Sequence, residues 1–378
     1  MSAYVESADI IIIGAGMAGA SVAATLAESA RVVLLESEAQ PGYHTTGRSA
    51  ALYTCAYGPP VIRALTRASG PFFRNPQSPF VDHPLLRRRG ALFVADASQM
   101  EALAVLEREL NDAVRRLDPV EARACMPLLR DGFAAGALLD ETAADIDVMA
   151  VHQHYLKSFR EVGGLLRTSA GVSAITYDGA SWRVGTAQGA FAAPIVINAA
   201  GAWADAVAHM AGASPVGLVP MRRTALLVSP PEGSVPDSWP MVVDVDEHFY
   251  LKPDAGKLLI SPADETPSPP CDAQPEEMDV AICIDRIETA FDLSVRRIDH
   301  KWAGLRSFVA DRCPVVGFDP EMPGFFWLAG QGGYGIQSAP ALARVAAALV
   351  QGQPIPDDIA DEGVSEFDLS RQRERLAA

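Results

Sequence analysis

The residues with the most chemical content fall in two glycine turns. Gly14-Ala15-Gly16-Met17-Ala18-Gly19 follows the run Ile10–Ile13 and precedes an alanine-rich stretch, so it reads as strand, tight turn and helix N-terminus. There Gly14 permits the turn, Gly16 lets a pyrophosphate approach the backbone, and Gly19 lets the helix pack against the strand. Free N–H groups at Met17 and Ala18 and the helix dipole would favour the phosphates. Glu36, followed by Ser37, closes the next strand and is placed for a ribose diol; a carboxylate there disfavours the 2′-phosphate of NADP. FAD and NAD share this fingerprint. The second turn, Gly330-Gln331-Gly332-Gly333-Tyr334-Gly335 with Ile336 and Gln337 behind it, favours FAD. It brings another helix N-terminus to the cofactor, where a positive dipole end under flavin N1 and O2 would stabilise the anionic reduced ring.

Positioning these turns requires a sheet. The isoleucine run predicts a central parallel strand covered on both faces. Residues 17–29 predict a helix, residues 31–36 a second buried strand, and residues 195–197 a third that ends in Asn198-Ala199-Ala200-Gly201. Strand, glycine turn and helix recur near both ends of the chain, so the nucleotide lobe is expected to be discontinuous: residues 1–80, 140–205 and 318–378. Residues 81–139 and 206–317 would form the substrate lobe, as an antiparallel sheet, because residues 218–306 alternate short strands with proline-rich turns. Residues 182–186 and 189–193 read as two strands joined by a turn. Asp118-Pro119-Val120-Glu121 reads as an N-cap, a proline at N1 and an N3 carboxylate, with the helix stopping before Pro127. Leu103, Leu106, Leu110, Val114 and Leu117 recur at helical spacing and predict one cap helix. The fold class is thus α/β.

Composition narrows the partners. With 378 residues the chain is long enough for two lobes, and its formal charge of −16 leaves no basic track for nucleic acid. Arg87, Arg88 and Arg89 form the one tight basic cluster and read as a solvated turn. Cys55, Cys125, Cys271, Cys283 and Cys313 are odd in number and widely spaced, which suggests neither a disulfide framework nor a zinc site and fits a reducing cytoplasm. Ile10–Ile13 is too short for a signal core, and no apolar run approaches the ~20 residues of a membrane span, so membrane contact would be peripheral, at an inner membrane. His152 and His154, two residues apart on a predicted helix, cannot share a metal on one face.

Several further stretches extend the glycine turns: residues 40–50 (QPGYHTTGRSA), 53–58 (YTCAYG), 198–203 (NAAGAW), 249–254 (FYLKPD), 302–309 (WAGLRSFV) and 332–337 (GGYGIQ). Together they resemble the D-amino acid oxidase superfamily of flavoproteins, nearest to the pattern of bacterial D-arginine dehydrogenases. The resemblance implies a Rossmann-like cofactor lobe of the glutathione-reductase type holding FAD without a covalent bond, with Cys313 a packed thiol. It adds Thr46, Gly47, Arg48, Ser49, Ala50, Ala200, Gly201, Trp203, Gly304 and Arg306 to the cofactor contacts.

The same resemblance puts the grip on a substrate carboxylate at Arg223 and Arg306, flanking hydroxyls at Tyr57 and Tyr250, and an amine-holding carbonyl at Gly333. A guanidinium fork suits that task, since two bonds fix the angle of the bound carboxylate. In a strand Arg222 and Arg223 face opposite ways, so only one can point inward. The pocket would be walled by Leu52, Ala91, Met241 and Val243, with His44 beside it; neither His44 nor His248 is assigned as a base. Ala91 and Leu52 stand where the arginine enzymes carry a glutamate and a histidine, so a smaller or more apolar D-amino acid is expected. The implied reaction passes hydride from Cα to flavin N5 and gives an imino acid, then keto acid and ammonia, with oxygen, a quinone or another carrier taking the electrons. A secondary amine oxidase or demethylase of the sarcosine or glycine-oxidase type stays open. So do a dinucleotide-binding module without redox chemistry and an NAD-dependent dehydrogenase.

Overall fold

Four successive isoleucines have no polar face to give to water, so both faces of the strand they form must be covered. In the computed structural model, which describes residues 5–234 and 236–373, all four are buried. Ile10 and Ile12 join the helices Met17–Leu26, Val148–Glu161 and Gly335–Val350 in one core cluster. Ile11 and Ile13 join Trp182, Val184 and Phe191 in another, on the opposite face.

This strand sits inside a six-stranded sheet ordered Leu165–Arg167, Val32–Leu35, Ile10–Ile13, Ile195–Asn198, Phe325–Ala329, Val315–Phe318. All its pairings are parallel except the last. The three predicted strands thus lie side by side, and both glycine turns leave the same sheet. The helix expected over residues 17–29 ends at Leu26, and the helix behind the second glycine turn runs Gly335–Val350. Trp182–Thr186 and Gly189–Ala193 pair as a hairpin within a separate four-stranded sheet.

The second large sheet has nine strands. Its order is Thr266–Pro267, Val219–Val228, Lys257–Ser261, Tyr250–Asp254, Met241–Asp244, Ala91–Ala95, Gly136–Asp140, Arg115–Leu117, with Ile298–Phe308 also paired to Val219–Val228. It departs from the antiparallel expectation at one place: Met241–Asp244 runs parallel to Ala91–Ala95. That junction joins two stretches far apart in the chain, which no hairpin could connect. A small third sheet pairs both Leu52–Tyr53 and Leu86–Arg88 with Ala144–Ile146.

Two local expectations are corrected. The helix Met100–Leu110 carries Leu103, Leu106 and Leu110, but Asn111 then takes a left-handed φ of 45° and ends the period. Val114 follows the break, and Leu117 lies in Arg115–Leu117, paired with the strand Gly136–Asp140. The arginine triplet is not a solvated turn. Arg87 and Arg88 are exposed strand residues, whereas Arg89 is buried, donates from Nη1 to the carbonyls of Asp237 and Trp239, and pairs with Asp145 at 2.6 Å.

The capping box forms as read. Asp118 accepts from the N–H groups of Val120 and Glu121 at 2.8 and 2.9 Å, Glu121 accepts from Asp118 N–H at 2.9 Å, and the helix Pro119–Cys125 stops before Pro127. Asp118→Ala should cost about 1 kcal/mol, a fall in Tm of no more than about 2–4 °C; thermal unfolding followed by circular dichroism measures it. Among the described residues no helix is long and apolar enough to cross a membrane.

Candidate functional site

Two paired strands bring the anchoring cations together. Val219–Val228 and Ile298–Phe308 run antiparallel, with Arg223 opposite Gly304 and Met221 opposite Arg306. Residues 304 and 306 share a face, so Arg223 and Arg306 project to the same side. Arg222 projects to the other, where it pairs with Glu276 and, at 2.8 Å, with Asp279.

The environments of the two inward arginines differ. Arg223 is buried and its Nη2 lies 3.1 Å from Glu265 Oε1, while its Nε is buried without a hydrogen-bond partner. Arg306 Nη1 donates to the Tyr57 hydroxyl at 3.4 Å, and among the described residues no carboxylate lies within ion-pair distance of it. Burial, then the like charge of Arg306, lowers the Arg223 pKa from the ordinary arginine value. Burial acts the same way on Arg306, but the combined negative influence of Tyr57, Tyr250 and Glu247 outweighs it and holds that guanidinium more firmly protonated. Tyr57 is kept protonated chiefly by burial, against the pull of Arg306. Two adjacent cations, Arg223 buried and Arg306 partly buried with no carboxylate of its own among the described residues, form a site for an anion.

These groups line two adjoining cavities. The smaller, about 70 Å³, has Leu52, Ala91, Phe93, Met241 and Val243 as apolar walls and Tyr57, Tyr250, Arg223, Arg306 and Gly333 among its polar lining. The larger, about 490 Å³, shares Ser49, Ala50, Arg223, Tyr250, Arg306 and Gly333 with it and extends past both glycine turns to Glu36 and Ser37. Along it lie Gly14, Gly16, Met17, Ala18, Thr46, Arg48, Ala200, Gly201, Trp203, Gly304, Gly332, Gly335 and Ile336. This size falls within the roughly 300–1,000 Å³ of cofactor clefts.

Its shape suits a dinucleotide. A Cβ on Gly14, which has φ +100°, would stand 2.5 Å from the Ala199 carbonyl oxygen, so that turn accepts only glycine. Gln331 lines the cavity, and its buried Nε2 has no hydrogen-bond partner in the protein. A cofactor with acceptor atoms, such as FAD, would complete it.

Some of the expected site residues lie elsewhere. Gly19, Gly47, Gly330 and Tyr334 line neither cavity. Gly19 instead lets the first helix meet its turn, since a Cβ there would stand 1.8 Å from Gly14 O. Tyr334 packs edge-on to Tyr57, ring centroids 5.1 Å apart. His44 belongs to the larger cavity only; its Nε2 lies 3.0 Å from Glu38 Oε1 and its ring packs on Trp203, so it does not border the pocket with Leu52. Gln337 shows the reverse and lines only the smaller cavity. Arg48 lines the cofactor cavity, but its guanidinium is held by Asp272 and by the carbonyls of Ala273 and Ala303. His248 pairs with Asp244 and lines neither cavity. His152 bonds Ala15 O and His154 bonds Ser78, each separately. Cys313 is buried and lines neither cavity.

Three acidic or amide contributors were missed by sequence reading. Glu247 lines the smaller cavity and accepts from the Tyr57 hydroxyl at 3.0 Å. It sits at φ +58° in the turn between Met241–Asp244 and Tyr250–Asp254, a conformation that a glutamate gives no hint of. Glu265 bridges Arg223 to Arg312, whose guanidinium stacks 3.9 Å over Phe308. Gln331, read only as part of a turn, supplies the orphan amide.

Gly333 faces the anchor closely: a Cβ there would stand 2.9 Å from Arg306 Nη1 and 3.0 Å from Cζ. Because the obstacle is a movable side chain, Gly333→Ala should fold normally yet displace Arg306 and raise KM about tenfold or more; steady-state kinetics beside a melting curve separates the two effects.

The chain is similar to known proteins along most of its length. The family model described as "FAD dependent oxidoreductase" (DAO) matches residues 9–349. The glycine oxidase of Bacillus licheniformis is 23% identical over 92% of this chain and 94% of its own length. Human mitochondrial sarcosine dehydrogenase is 24% identical over 85% of this chain, a region that makes up 37% of that larger protein. Among solved structures, glycine oxidase from Geobacillus kaustophilus superposes with a TM-score of 0.80 at 24% identity, covering 95% of this chain and 98% of its own.

Proposed function

Because the chain belongs to the FAD dependent oxidoreductase (DAO) family, we propose that it oxidises the α-carbon of a small amino acid bound by its carboxylate to Arg223 and Arg306. It is an FAD-dependent oxidoreductase of mixed α/β fold. The observation that carries the substrate reading is the pair of arginines converging on one face with Tyr57, Arg306 having no carboxylate partner among the described residues.

In this reading the substrate is a D-amino acid, oxidised to the imino acid, which water converts to keto acid and ammonia. The two guanidinium groups fix the carboxylate, and Tyr57 and Tyr250 close the polar end against water. The Gly333 carbonyl accepts an N–H of the neutral amine, so that the nitrogen lone pair is free to assist as hydride leaves Cα. Bound FAD, held without a covalent link, supplies the two-electron acceptor; oxygen, a quinone or another carrier reoxidises it. Leu52 and Ala91 leave their part of the pocket wall apolar, and Glu247, the carboxylate that borders the pocket, is engaged by the Tyr57 hydroxyl, which favours side chains smaller or more apolar than that of D-arginine, the substrate of the enzymes whose sequence pattern this chain resembles. The division into a cofactor lobe (residues 1–80, 140–205, 318–378) and a substrate lobe (residues 81–139, 206–317), a cytoplasmic or peripheral inner-membrane location and the absence of a nucleic-acid partner belong to the same proposal; residues 1–4, 235 and 374–378 of it lie outside the described residues.

A second reading, oxidation of a secondary amine or of glycine, is supported by the names of the relatives above. Anaerobic bleaching of the purified yellow protein by paired D- and L-amino acids, glycine and sarcosine decides between them. Bleaching by D-leucine or D-methionine ahead of D-arginine supports the first reading; bleaching by sarcosine with formaldehyde release supports the second. A flavin that no amine reduces would sink both.

A further inference from the structure

Gln337 lies in the helix Gly335–Val350, one turn after Gly333, and is only 4% exposed. Its Oε1 accepts the backbone N–H of Thr54 at 3.2 Å. Turning the amide over would set two donors against each other, so this bond fixes its orientation. Thr54 is itself held, since its hydroxyl donates to Asp140 at 2.7 Å and accepts from Ala56 N–H at 3.1 Å. The remaining atom, Nε2, is buried with no hydrogen-bond partner in the protein, and Gln337 lines the smaller cavity but not the larger. A buried donor left unpaired is costly and discriminates strongly once a ligand can complete it.

We propose that Gln337 is a specificity-determining residue of the substrate pocket, reading an uncharged hydrogen-bond acceptor on the substrate's side chain. This inference rests on the amino acid oxidation reading above and deepens it. The apolar part of the wall, Leu52, Ala91, Phe93, Met241 and Val243, offers such an acceptor no donor, and the hydroxyls of Thr54 and Tyr57 already donate to Asp140 and Glu247. At about 70 Å³ the cavity holds a short side chain. Glu247 borders the same space, so an anionic acceptor is disfavoured by like charge. The preferred substrates are therefore short amides and alcohols, such as asparagine and threonine, over their isosteres leucine and valine and over aspartate.

The test uses the FAD-loaded enzyme, anaerobic stopped-flow bleaching, and the pairs asparagine/leucine and threonine/valine in whichever enantiomer reduces the flavin. The wild-type protein should favour the acceptor-bearing member by about 10- to 100-fold in reduction rate over Kd. Gln337→Leu removes the donor. Gln337→Glu keeps an oxygen for Thr54 and replaces the donor, guarding against a variant that fails to fold. In both, the ratio should fall to near one while FAD content and the visible spectrum stay as in the wild type. A wild-type ratio near one, or a preference that survives both substitutions, overturns the inference. Equal losses on both members of a pair, with a shifted flavin spectrum, overturn it too and assign Gln337 to the cofactor. If no amino acid bleaches the protein, the oxidation reading falls and the inference with it.

Discussion

Arg306→Met should lower kcat/KM for the best amino acid by about 100- to 10,000-fold and change Tm little. The first effect follows from losing two charge-assisted bonds to a carboxylate, each worth roughly 1.5–3 kcal/mol, at one power of ten in rate per ~1.4 kcal/mol. The second follows because two effects oppose: removing Arg306 relieves its like-charge repulsion of Arg223 but also forfeits the favourable hold of Tyr57, Tyr250 and Glu247 on its own guanidinium.

Arg222→Met is the matched control, one residue from Arg223 on the opposite face. It leaves Asp279, which is 13% exposed, without its cation, and should lower stability by about 3 kcal/mol while kcat/KM stays within a few-fold of wild type. Kinetics and thermal unfolding of both variants check the pair. An Arg306→Met protein with wild-type kcat/KM would remove the carboxylate anchor from the mechanism.

The second large effect is expected at the first glycine turn. Gly19→Ala places a methyl carbon 1.8 Å from Gly14 O and 3.0 Å from Gly14 C. Both obstacles are backbone, so the helix Met17–Leu26 must move off the turn that receives the pyrophosphate. Overpacking typically costs about 1–3 kcal/mol and more where backbone must shift. The protein should therefore be recovered colourless or insoluble, with a flavin-to-protein ratio below about one tenth.

Gly16→Ala makes the contrast, because its Cβ meets only the Thr46 hydroxyl oxygen at 3.3 Å. That protein should fold and melt near the wild-type temperature while retaining FAD poorly, since the methyl group occupies the approach of the phosphates. Absorbance at the flavin band against protein absorbance, read beside a melting curve, distinguishes the two. A fully yellow Gly19→Ala protein with wild-type stability would show that this packing is dispensable.

The corrected elements share a cause. At residues 100–117 the spacing of leucines continued a helical period through Asn111, and periodicity alone cannot register a left-handed residue that ends it. The arginine triplet looked like a solvated turn because composition says nothing about Asp145, which reaches from the strand Ala144–Ile146 to Arg89, just past the end of Leu86–Arg88. His44 was placed beside the substrate pocket by resemblance alone, yet Glu38 and Trp203 draw its ring to the cofactor side.

What the sequence by itself determined was the local grammar: the buried isoleucine strand, the glycine turns feeding helix N-termini, the capping box, and the opposite orientations of Arg222 and Arg223. Each depends on residues within a few positions of one another, where backbone sterics and hydrogen bonding leave few choices. The tertiary structure alone decided how the pocket is completed. It brought Glu247 to Tyr57 across 190 residues and Gln337 to Thr54 across 283, and it set Glu265 between Arg223 and Arg312. The physical reason is that a binding site is a convergence of charge and unpaired donors from separate strands and helices. Chain spacing does not encode such meetings; the packing of the two large sheets does.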